Sequence, residues 1–320
     1  MSDRPSRRRV LAGALASLGA AGCLSDPDGR WVRADVPTDA TLHGVVATRE
    51  GAYAVGEDGI VLARADGGWS VRLPSGPAGA RNELRSVDVT DNGRTVWFAG
   101  DSGALGAYDV VADRAVDFTA PNGLTSSWEA IAVGGLSGSE RLFLVNSSGF
   151  VLRGRRDGTA LEWAGATEPT TGSSVAALDV TPLEYAYLCD TDGGVYESDD
   201  GGETWRRLGV EGASVTFHDA AAVDPGHVSV VGGNGVIYRY DGGTWSRTVV
   251  GQQPLTSIVR DRYDGLAVSA AGGVYERSFD GWEELEAIDA GNDLRAVTLG
   301  TSRTPRITVG ESGTVLERRF

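Results

Sequence analysis

Lysine is absent from the sequence, so all 29 basic side chains are arginines. Histidine, cysteine and methionine are nearly absent as well, with three, two and one copies among 320 residues. The histidines His43, His218 and His227 lack ligand spacing, and Cys189 ends an apolar strand, where a buried core thiol is expected. The sequence therefore predicts no metal, no cofactor and no disulfide framework.

Acidic side chains outnumber basic ones by 44 to 29, which gives a formal net charge of −15. Residues 1–22 contain four arginines and one aspartate, so a chain without them would have a net charge of −18. Such a surface repels nucleic acid and anionic lipid headgroups, and the sequence predicts neither as a partner. The acidic, lysine-free composition resembles that of secreted proteins from extreme halophiles, where high salt screens self-repulsion. An ordinary acidic protein from a GC-rich genome is the alternative.

The first 23 residues resemble an export signal rather than part of a fold. Arg7 and Arg8 stand in a twin-arginine motif, before an apolar stretch of 11 residues that is too short to span a bilayer. Ala-Ala-Gly-Cys at 20–23 resembles a lipobox, so Cys23 is the predicted lipidation site, with a plain cleavage site nearby as the alternative. Residues 24–29 are then a short tether. The predicted location is the outer face of the cytoplasmic membrane of a haloarchaeal cell.

A unit of about 40 residues recurs seven times after residue 30. Each unit has a short apolar strand, a second strand ending in a Gly-rich turn, a third strand that begins Gly-x-[Val/Ile/Leu], and a fourth strand that usually opens with Trp. The third-strand glycines are Gly59, Gly103, Gly149, Gly193, Gly235, Gly272 and Gly313. Four short strands in this period predict an all-β fold, a seven-bladed β-propeller.

The two ends of the chain complement each other. Residues 30–36 match the fourth strands elsewhere, whereas the seventh unit stops after its third strand. We therefore expect the N-terminal strand to complete the last blade and to hide its edge, so that residues 30–320 form one domain. The predicted blades span residues 41–75, 83–119, 127–164, 174–209, 216–250, 254–288, and 293–320 with 30–36.

Residues 198–205, Ser-Asp-Asp-Gly-Gly-Glu-Thr-Trp, match the Asp-box pattern Ser-x-Asp-x-Gly-x-Thr-Trp. In such a turn the carboxylate and hydroxyl cap backbone N–H groups, while the Trp packs between blades. With this motif the chain resembles the seven-bladed propellers with neuraminidase-type, WD-repeat-like blades, which include sialidases, some glucanases and a non-catalytic propeller that assists photosystem II assembly. The resemblance implies a structural role for Ser198, Asp200, Gly202, Thr204 and Trp205.

The first strands share a pattern, Leu-x-small-Val, whose second residues should approach one another near the propeller axis. These residues are His43, Arg85, Glu129, Ala176, Asp219, Thr256 and Arg295. We interpret the third residue of the pattern as Gly, Ser or Ala in all seven first strands. Such small side chains would let the seven strands converge at the axis. A mixed ring of charged side chains suits recognition of a polar ligand, and the alternative is a solvated channel without a ligand. Trp128, beside a long polar connection, is a candidate surface anchor.

Sialidases bind the carboxylate of their substrate with three arginines, so the resemblance implies that three arginines of this chain could form such a cluster. Arg85 and Arg295 occupy equivalent positions, and Arg260 lies further along its strand. Because arginine is the only basic residue used, surface roles explain these three better, and the sequence assigns no catalytic residue. The leading interpretation is a monomeric, non-catalytic binding or assembly scaffold for a protein or a glycan. The alternative is a cell-surface glycoside hydrolase of the sialidase-like type.

Overall fold

The computed structural model describes residues 29–65, 68–170, 172–182, 185–210, 213, 215–279, 281–285 and 290–319. These residues form seven four-stranded antiparallel sheets arranged as the blades of an all-β propeller, as the sequence predicts. The export-signal residues Arg7, Arg8 and Cys23 lie outside the described residues. No helix in the described part of the chain is long and apolar enough to cross a membrane.

Each blade has four strands, with the first strand innermost. Strands are numbered in chain order, and blades 1 to 7 are numbered in the order of their first strands, from β2 in blade 1 to β26 in blade 7. The first strands are β2 Leu42–Ala47, β6 Leu84–Val89, β10 Ala130–Gly134, β14 Val175–Val180, β18 Phe217–Asp224, β22 Leu255–Arg260 and β26 Leu294–Thr298. The second strands are β3 Ala52–Gly56, β7 Thr95–Gly100, β11 Arg141–Val145, β15 Ala186–Asp190, β19 His227–Gly232, β23 Gly265–Ser269 and β27 Ile307–Gly310. The third strands are β4 Val61–Ala65, β8 Leu105–Asp109, β12 Val151–Asp157, β16 Val195–Ser198, β20 Val236–Asp241, β24 Val274–Ser278 and β28 Val315–Arg319. The fourth strands are β5 Gly68–Leu73, β9 Arg114–Asp117, β13 Ala160–Trp163, β17 Arg206–Leu208, β21 Trp245–Val249, β25 Gly281–Glu284 and β1 Arg30–Arg33.

The repeated third-strand glycines mark tight turns between the second and third strands. All seven have a positive φ, between 62° and 85°, a region that glycine adopts without steric cost. At Gly59 a β-carbon would lie 2.7 Å from the backbone nitrogen of Gly76, which belongs to the connection to the next blade. Short 3₁₀ turns occur here at Glu57–Gly59, Asp101–Gly103 and Gly233–Gly235, and a further one at Pro121–Gly123. The turns and the blade-to-blade connections therefore share one face of the propeller.

We call this face, where the first strands begin, the mouth face, and the opposite one the back face. Adjacent strands are antiparallel, so the second and fourth strands begin at the back face. The turns that join first to second strands and third to fourth strands, including the Asp-box turn, lie on the back face.

The N-terminal strand closes the ring, which confirms the prediction from the two chain ends. β1 pairs with β28 from Arg30 opposite Arg319 to Arg33 opposite Leu316, and the last sheet has the order β1-β28-β27-β26. Arg33 also donates hydrogen bonds to the Ala290 carbonyl and to Thr314 Oγ1. The edge of β28 is thereby covered, and β1 begins at the back face.

The core is a set of apolar layers between neighbouring blades. Each cluster of buried side chains in the described residues joins two adjacent blades. Trp97 and Trp128 lie in the layer between blades 2 and 3, and both are 0% exposed. The prediction of Trp128 as a surface anchor is therefore wrong: it takes the place of the leucine that opens the first-strand pattern. Cys189 is buried, and this burial raises the pKa of its thiol.

Candidate binding site at the channel mouth

One residue from each blade forms a ring, the mouth ring, around a cavity of about 290 Å³ on the propeller axis. The members of the mouth ring are His43, Arg85, Glu129, Ala176, His218, Thr256 and Arg295. Six of the seven are the residues that the sequence pattern predicts. The exception lies in blade 5.

In blade 5 the predicted alignment is shifted by one residue. The register of β18 pairs Phe217 with Gly232 and then resumes at Asp219, so His218 is the residue left out of the pairing. Phe217 thus takes the position of the leucine that opens the pattern, and Asp219 takes the third position. The placement of Asp219 in the ring and the rule of a small third residue in all blades are both wrong here. The alanine run 220–222 fits the small-residue pattern in more than one frame.

The ring residues are placed by β-bulges. In six blades the pairing of the first and second strands shifts by one residue at the ring position. A bulge leaves one residue out of the ladder and redirects its side chain. Next to the bulge the strands approach closely: a β-carbon on Gly44 would lie 2.7 Å from Val87 Cγ1 of the following blade. In the blades other than blade 5, a small third residue is the consequence of this approach.

The arginines of the mouth ring are engaged in ion pairs. Arg85 donates hydrogen bonds to Asp101 at 2.7 and 3.4 Å and lies 3.7 Å from Glu129, while Arg295 pairs with Glu311. Asp101 and Glu311 each follow the second strand of the same blade as their arginine. The hydrogen bond raises the pKa of Arg85 and lowers that of Asp101, so both stay charged. The mouth therefore presents preformed ion pairs rather than free guanidinium groups.

His43 lies between Arg85 and Arg295 in the ring order. Its Nε2 is 3.0 Å from Glu83 Oε1, an ion-pair distance without hydrogen-bond geometry. Burial lowers the pKa of His43, and the carboxylate of Glu83 opposes this shift. The imidazole is therefore mostly neutral at pH 7 and offers one donor and one acceptor.

Two other ring side chains link neighbouring blades. His218 Nδ1 lies 2.7 Å from the carbonyl oxygen of Leu255, so this nitrogen is the protonated one. Thr256 Oγ1 donates to the carbonyl oxygen of Leu294 at 2.7 Å. Each bond reaches the opening residue of the next first strand. These two side chains hold the ring together and are less free to meet a ligand.

Three carboxylates that sequence reasoning missed, or misplaced, line the cavity beneath the ring. Each accepts the N–H of the residue that follows it and an N–H from the first strand of the next blade. The bonds to the next blade are Val133 N to Asp88 at 2.6 Å, Ala222 N to Asp179 at 2.7 Å and Ile258 N to Asp219 at 2.8 Å. Burial raises the pKa to about 8 in Asp88, about 7 in Asp179 and about 6 in Asp219. The signal in the sequence is an aspartate inside an otherwise apolar first strand.

The three arginines considered for sialidase-like chemistry do not converge. Arg85 and Arg295 line the mouth cavity, but Arg260 does not. It lies four residues beyond Thr256 in β22, about 13 Å along the strand at 3.3 Å per residue. Its guanidinium donates to Ser229 Oγ of blade 5 instead. These three arginines therefore do not form the sialidase-like cluster, which the sequence alone does not favour either.

The Asp-box turn lies on the back face and is stabilised by its own side chains. Asp200 accepts hydrogen bonds from the Thr204 hydroxyl at 2.6 Å and from the N–H groups of Glu203 and Thr204 at 2.9 Å. Ser198 Oγ accepts the N–H of Gly202 at 2.7 Å. Burial opposes ionisation of Asp200, but these hydrogen bonds prevail and lower its pKa to about 2. Trp205 packs in the layer between blades 3 and 4.

Within the described ranges, no three His, Cys, Asp or Glu side chains are grouped so as to hold a metal ion. The mouth thus offers ion pairs, one neutral imidazole and a polar cavity. Such an arrangement is suited to binding charged or polar groups.

No known family model and no curated protein matches the chain. Many solved structures share its fold. Virginiamycin B lyase from Staphylococcus aureus, solved with quinupristin, is 12% identical, covers 91% of this chain and 99% of its own, and has a TM-score of 0.74. YCF48 bound to a D1 peptide is 15% identical over 92% and 95% of the two chains, with a TM-score of 0.69. The WD40 repeats of RRP9 are 12% identical over 92% and 98%, with a TM-score of 0.72. At these identities the likeness shows the propeller fold alone.

Proposed function

We propose that this propeller is a non-catalytic scaffold, anchored outside the cell membrane, that binds a protein partner at its mouth face. The observation on which this rests is the mouth ring itself. Arg85, Glu129 and Arg295 converge on one cavity with 29% to 39% of each side chain exposed. Exposed ion pairs exchange partners at little cost, so an incoming charged segment can replace an internal contact by an external one.

The surface beside the mouth ring indicates the chemistry of the partner. Turns of blades 1 and 2 enclose a groove of about 450 Å³, which is lined by Glu57, Asp58, Glu83 and Asp101. Among the described residues, Arg81 is the one basic side chain that lines it, and it pairs with Asp58 at 2.8 Å. Asp101 is paired with Arg85, so two carboxylate charges remain in excess, and we infer that the partner presents a basic segment to this groove.

The arrangement at the mouth argues against catalysis. The arginines are held by carboxylates, and the perturbed carboxylates Asp88, Asp179 and Asp219 are committed to backbone N–H groups of two blades each. YCF48, which shares the fold, was solved with a peptide. That structure supports a propeller of this kind as a peptide-binding scaffold. A glycan ligand stays a prediction that a glycan array would test.

The position of the N-terminal strand fits an anchored protein. β1 begins at Arg30 on the back face, and the tether predicted at residues 24–29 would reach at most about 20 Å from it. With lipid on Cys23, the back face would lie near the membrane and the mouth face would point away. The mouth would then be accessible to a partner.

Site-specific photo-cross-linking tests the proposal. A photoreactive phenylalanine at Asn82, in the acidic groove, should cross-link a discrete protein in intact cells. The same residue at Tyr263, which is 86% exposed on the back face, is the matched control and should not give that product. Equal products from both positions, or none from Asn82, would overturn the mouth-face assignment. Release of a Cys23→Ala chain from the membrane fraction tests the anchor separately.

A further inference from the structure

Buried charges between neighbouring blades are paired near the back face. Between blades 7 and 1, Glu317 is 0% exposed and accepts two hydrogen bonds from Arg64, at 2.7 and 3.1 Å. Between blades 6 and 7, Glu276 pairs with Arg306 and with Arg318. In each of these clefts a carboxylate compensates the guanidinium groups, which is what burial of charge requires.

The cleft between blades 5 and 6 differs from these two. It contains Arg239 from β20, Arg260 from β22 and Arg277 from β24, and we call it the arginine cleft. Arg260 extends from blade 6 across to blade 5, where it donates to Ser229 Oγ, a buried hydroxyl. Ser229 is the cross-strand neighbour of Arg239. No ion pair is present for any of these three arginines within the described residues.

The backbone of blade 6 brings two of the arginines side by side. Arg260 pairs in register with Gly265, and a β-carbon on Gly265 would lie 3.0 Å from Arg260 Cγ and 3.3 Å from Arg277 Cβ. On the other side of Arg277, Trp282 of β25 is its cross-strand neighbour. Gly265 therefore makes room for two cationic side chains to leave the sheet together.

The arginine cleft lacks an ion-paired carboxylate among the described residues, and Arg277 donates to the carbonyl oxygen of Arg262 at 3.2 Å. Burial, followed by the charges of Arg277 and Arg239, lowers the pKa of Arg260 to about 10. Asp261 is the acidic group that opposes this shift, and it does so from an exposed turn without a hydrogen bond to Arg260. Arg260 Nε is buried and has no hydrogen-bond partner among the described residues. A desolvated donor of this kind costs stability unless a ligand satisfies it.

We propose that the arginine cleft is a binding site for a phosphate- or sulfate-type oxyanion. Such an anion would supply the negative charge that Glu317 and Glu276 supply in the other two clefts. Guanidinium groups bind phosphate and carboxylate in a fork geometry. Because Ser229 Oγ accepts from Arg260, its own hydrogen is free to be donated. Three guanidiniums and one hydroxyl match the four oxygens of a tetrahedral anion better than the two of a carboxylate.

Two sources would supply the same chemistry. One is inorganic phosphate or sulfate in the medium, and the other is the phosphate of a lipid headgroup, since the arginine cleft lies toward the face where β1 begins. The overall charge of −15 disfavours anions at long range. In about 1 M salt this repulsion is screened within about 3 Å, whereas direct contacts in a partly buried cleft persist.

The test is a thermal-unfolding titration at constant ionic strength, in which chloride is replaced by phosphate, sulfate or acetate. We expect phosphate and sulfate to raise Tm in a saturable way, and acetate to do so less. Arg239→Gln, at an exposed position, and Arg260→Gln should each weaken phosphate binding by roughly 10-fold or more, since each removes charge-assisted hydrogen bonds. Arg114→Gln changes an exposed arginine of blade 2 that has no ion pair among the described residues; it is the matched control and should bind as the natural chain does.

Two further readouts separate an anion site from a structural arginine. Without phosphate, Arg260→Gln should leave Tm unchanged or higher, because it removes a partly buried cation that lacks an ion pair; a structural role predicts a lower Tm. Flotation with vesicles of a phosphomonoester lipid, compared with neutral vesicles, identifies the source, and competition by inorganic phosphate would link that binding to the cleft. No saturable rise in Tm, or an equal rise in the natural chain and in Arg239→Gln, would refute the site.

Discussion

At the scale of single residues, this fold is stabilised by polar side chains that satisfy backbone groups or bury a paired charge. Asp200 caps the Asp-box turn, and Glu317 accepts from Arg64 and from the indole N–H of Trp69 at 2.9 Å. The first is exposed and the second is buried, so their substitution should differ in cost.

Asp200→Ala removes the acceptor of a back-face turn. The turn loses its cap on the N–H groups of Glu203 and Thr204 but remains open to water. We expect the free energy of unfolding to fall by roughly 1–2 kcal/mol, the usual cost of a lost cap. Chemical denaturation of the variant beside Asp199→Ala, its neighbour in the same turn, measures this. An equal loss in both variants would contradict the assignment.

Glu317→Ala leaves two buried donors unpartnered at the seam between blades 7 and 1. Breaking a buried pair by removing one partner costs about 3–5 kcal/mol. Glu317→Gln keeps one acceptor for the indole of Trp69 and should cost less. Denaturation curves should therefore give a lower free energy of unfolding for Glu317→Ala than for Glu317→Gln. Similar stabilities of the two variants would show that the charge of Arg64 is compensated by another group.

At the scale of elements, the inner strands are joined by side chains rather than by a ladder. Asp88, Asp179 and Asp219 each connect the N–H groups of two blades, and Ser86 Oγ accepts the N–H of Ile131 in the same manner. These side chains accept hydrogen bonds from backbone N–H groups at the inner edge of the first strands, which no neighbouring strand among the described residues pairs along the channel. An aspartate in this position is stable because backbone donors offset part of its burial.

This arrangement predicts a pH dependence of stability. The pKa values of Asp88 and Asp179 are raised to about 8 and about 7, above the value of about 3.9 in an unfolded chain. Between the pKa of the unfolded chain and that of the folded chain, the folded state therefore binds more protons than the unfolded state. The stability contributed by this protonation is lost as the pH rises from about 4 towards 8. The free energy of unfolding should fall over this range, by on the order of 1 kcal/mol per pH unit per group at most.

Asp88→Asn isolates this effect. The amide keeps one acceptor but cannot accept the N–H of Val133 as well, so the variant is less stable than the natural chain at low pH. Its stability should nevertheless change less steeply between pH 5 and pH 8. Denaturation at four pH values gives the slope. An unchanged slope in Asp88→Asn would show that this carboxyl does not titrate in that range.

The sequence predicts the elements better than it predicts their contacts. Period, turn glycines and the Leu-x-small-Val pattern locate the strands because each reflects a local requirement of backbone geometry. The predicted alignment of blade 5 is wrong by one residue for two reasons. Its alanine run fits the small-residue position in several alignments, and the opening position holds Phe217 instead of leucine. Arginine pairing in the clefts cannot be predicted, since it depends on which side chains face each other across blades.

At the scale of the whole molecule, the N-terminal strand closes the propeller. A chain beginning at Asp35 would lack β1 and expose the edge of β28. Loss of the half-buried Trp31 and Val32 should lower the free energy of unfolding by roughly 3 kcal/mol, and the open edge should promote aggregation. A chain beginning at Gly29 is the control and should match the stability of the full chain. Equal stability of both truncated chains would contradict closure by β1.

The closed ring presents two faces of different chemistry. The mouth face has an acidic groove beside paired arginines, and the back face has the arginine cleft and the start of β1. If the chain is anchored through its N-terminus, these faces point away from and toward the membrane. We propose protein binding for the mouth face and anion binding for the back face.

Co-purification from native membranes at high salt tests whether the mouth ring binds a partner. The natural chain should retain a partner that is lost from a variant with Arg85→Gln, Glu129→Gln and Arg295→Gln. A variant with Arg94→Gln and Arg262→Gln, two ion-paired arginines of the back face, is the matched control and should retain it. Mass spectrometry identifies the partner, and thermal unfolding verifies that both variants fold. Loss from the mouth variant alone is the predicted result, and retention by the folded mouth variant would contradict the proposed function.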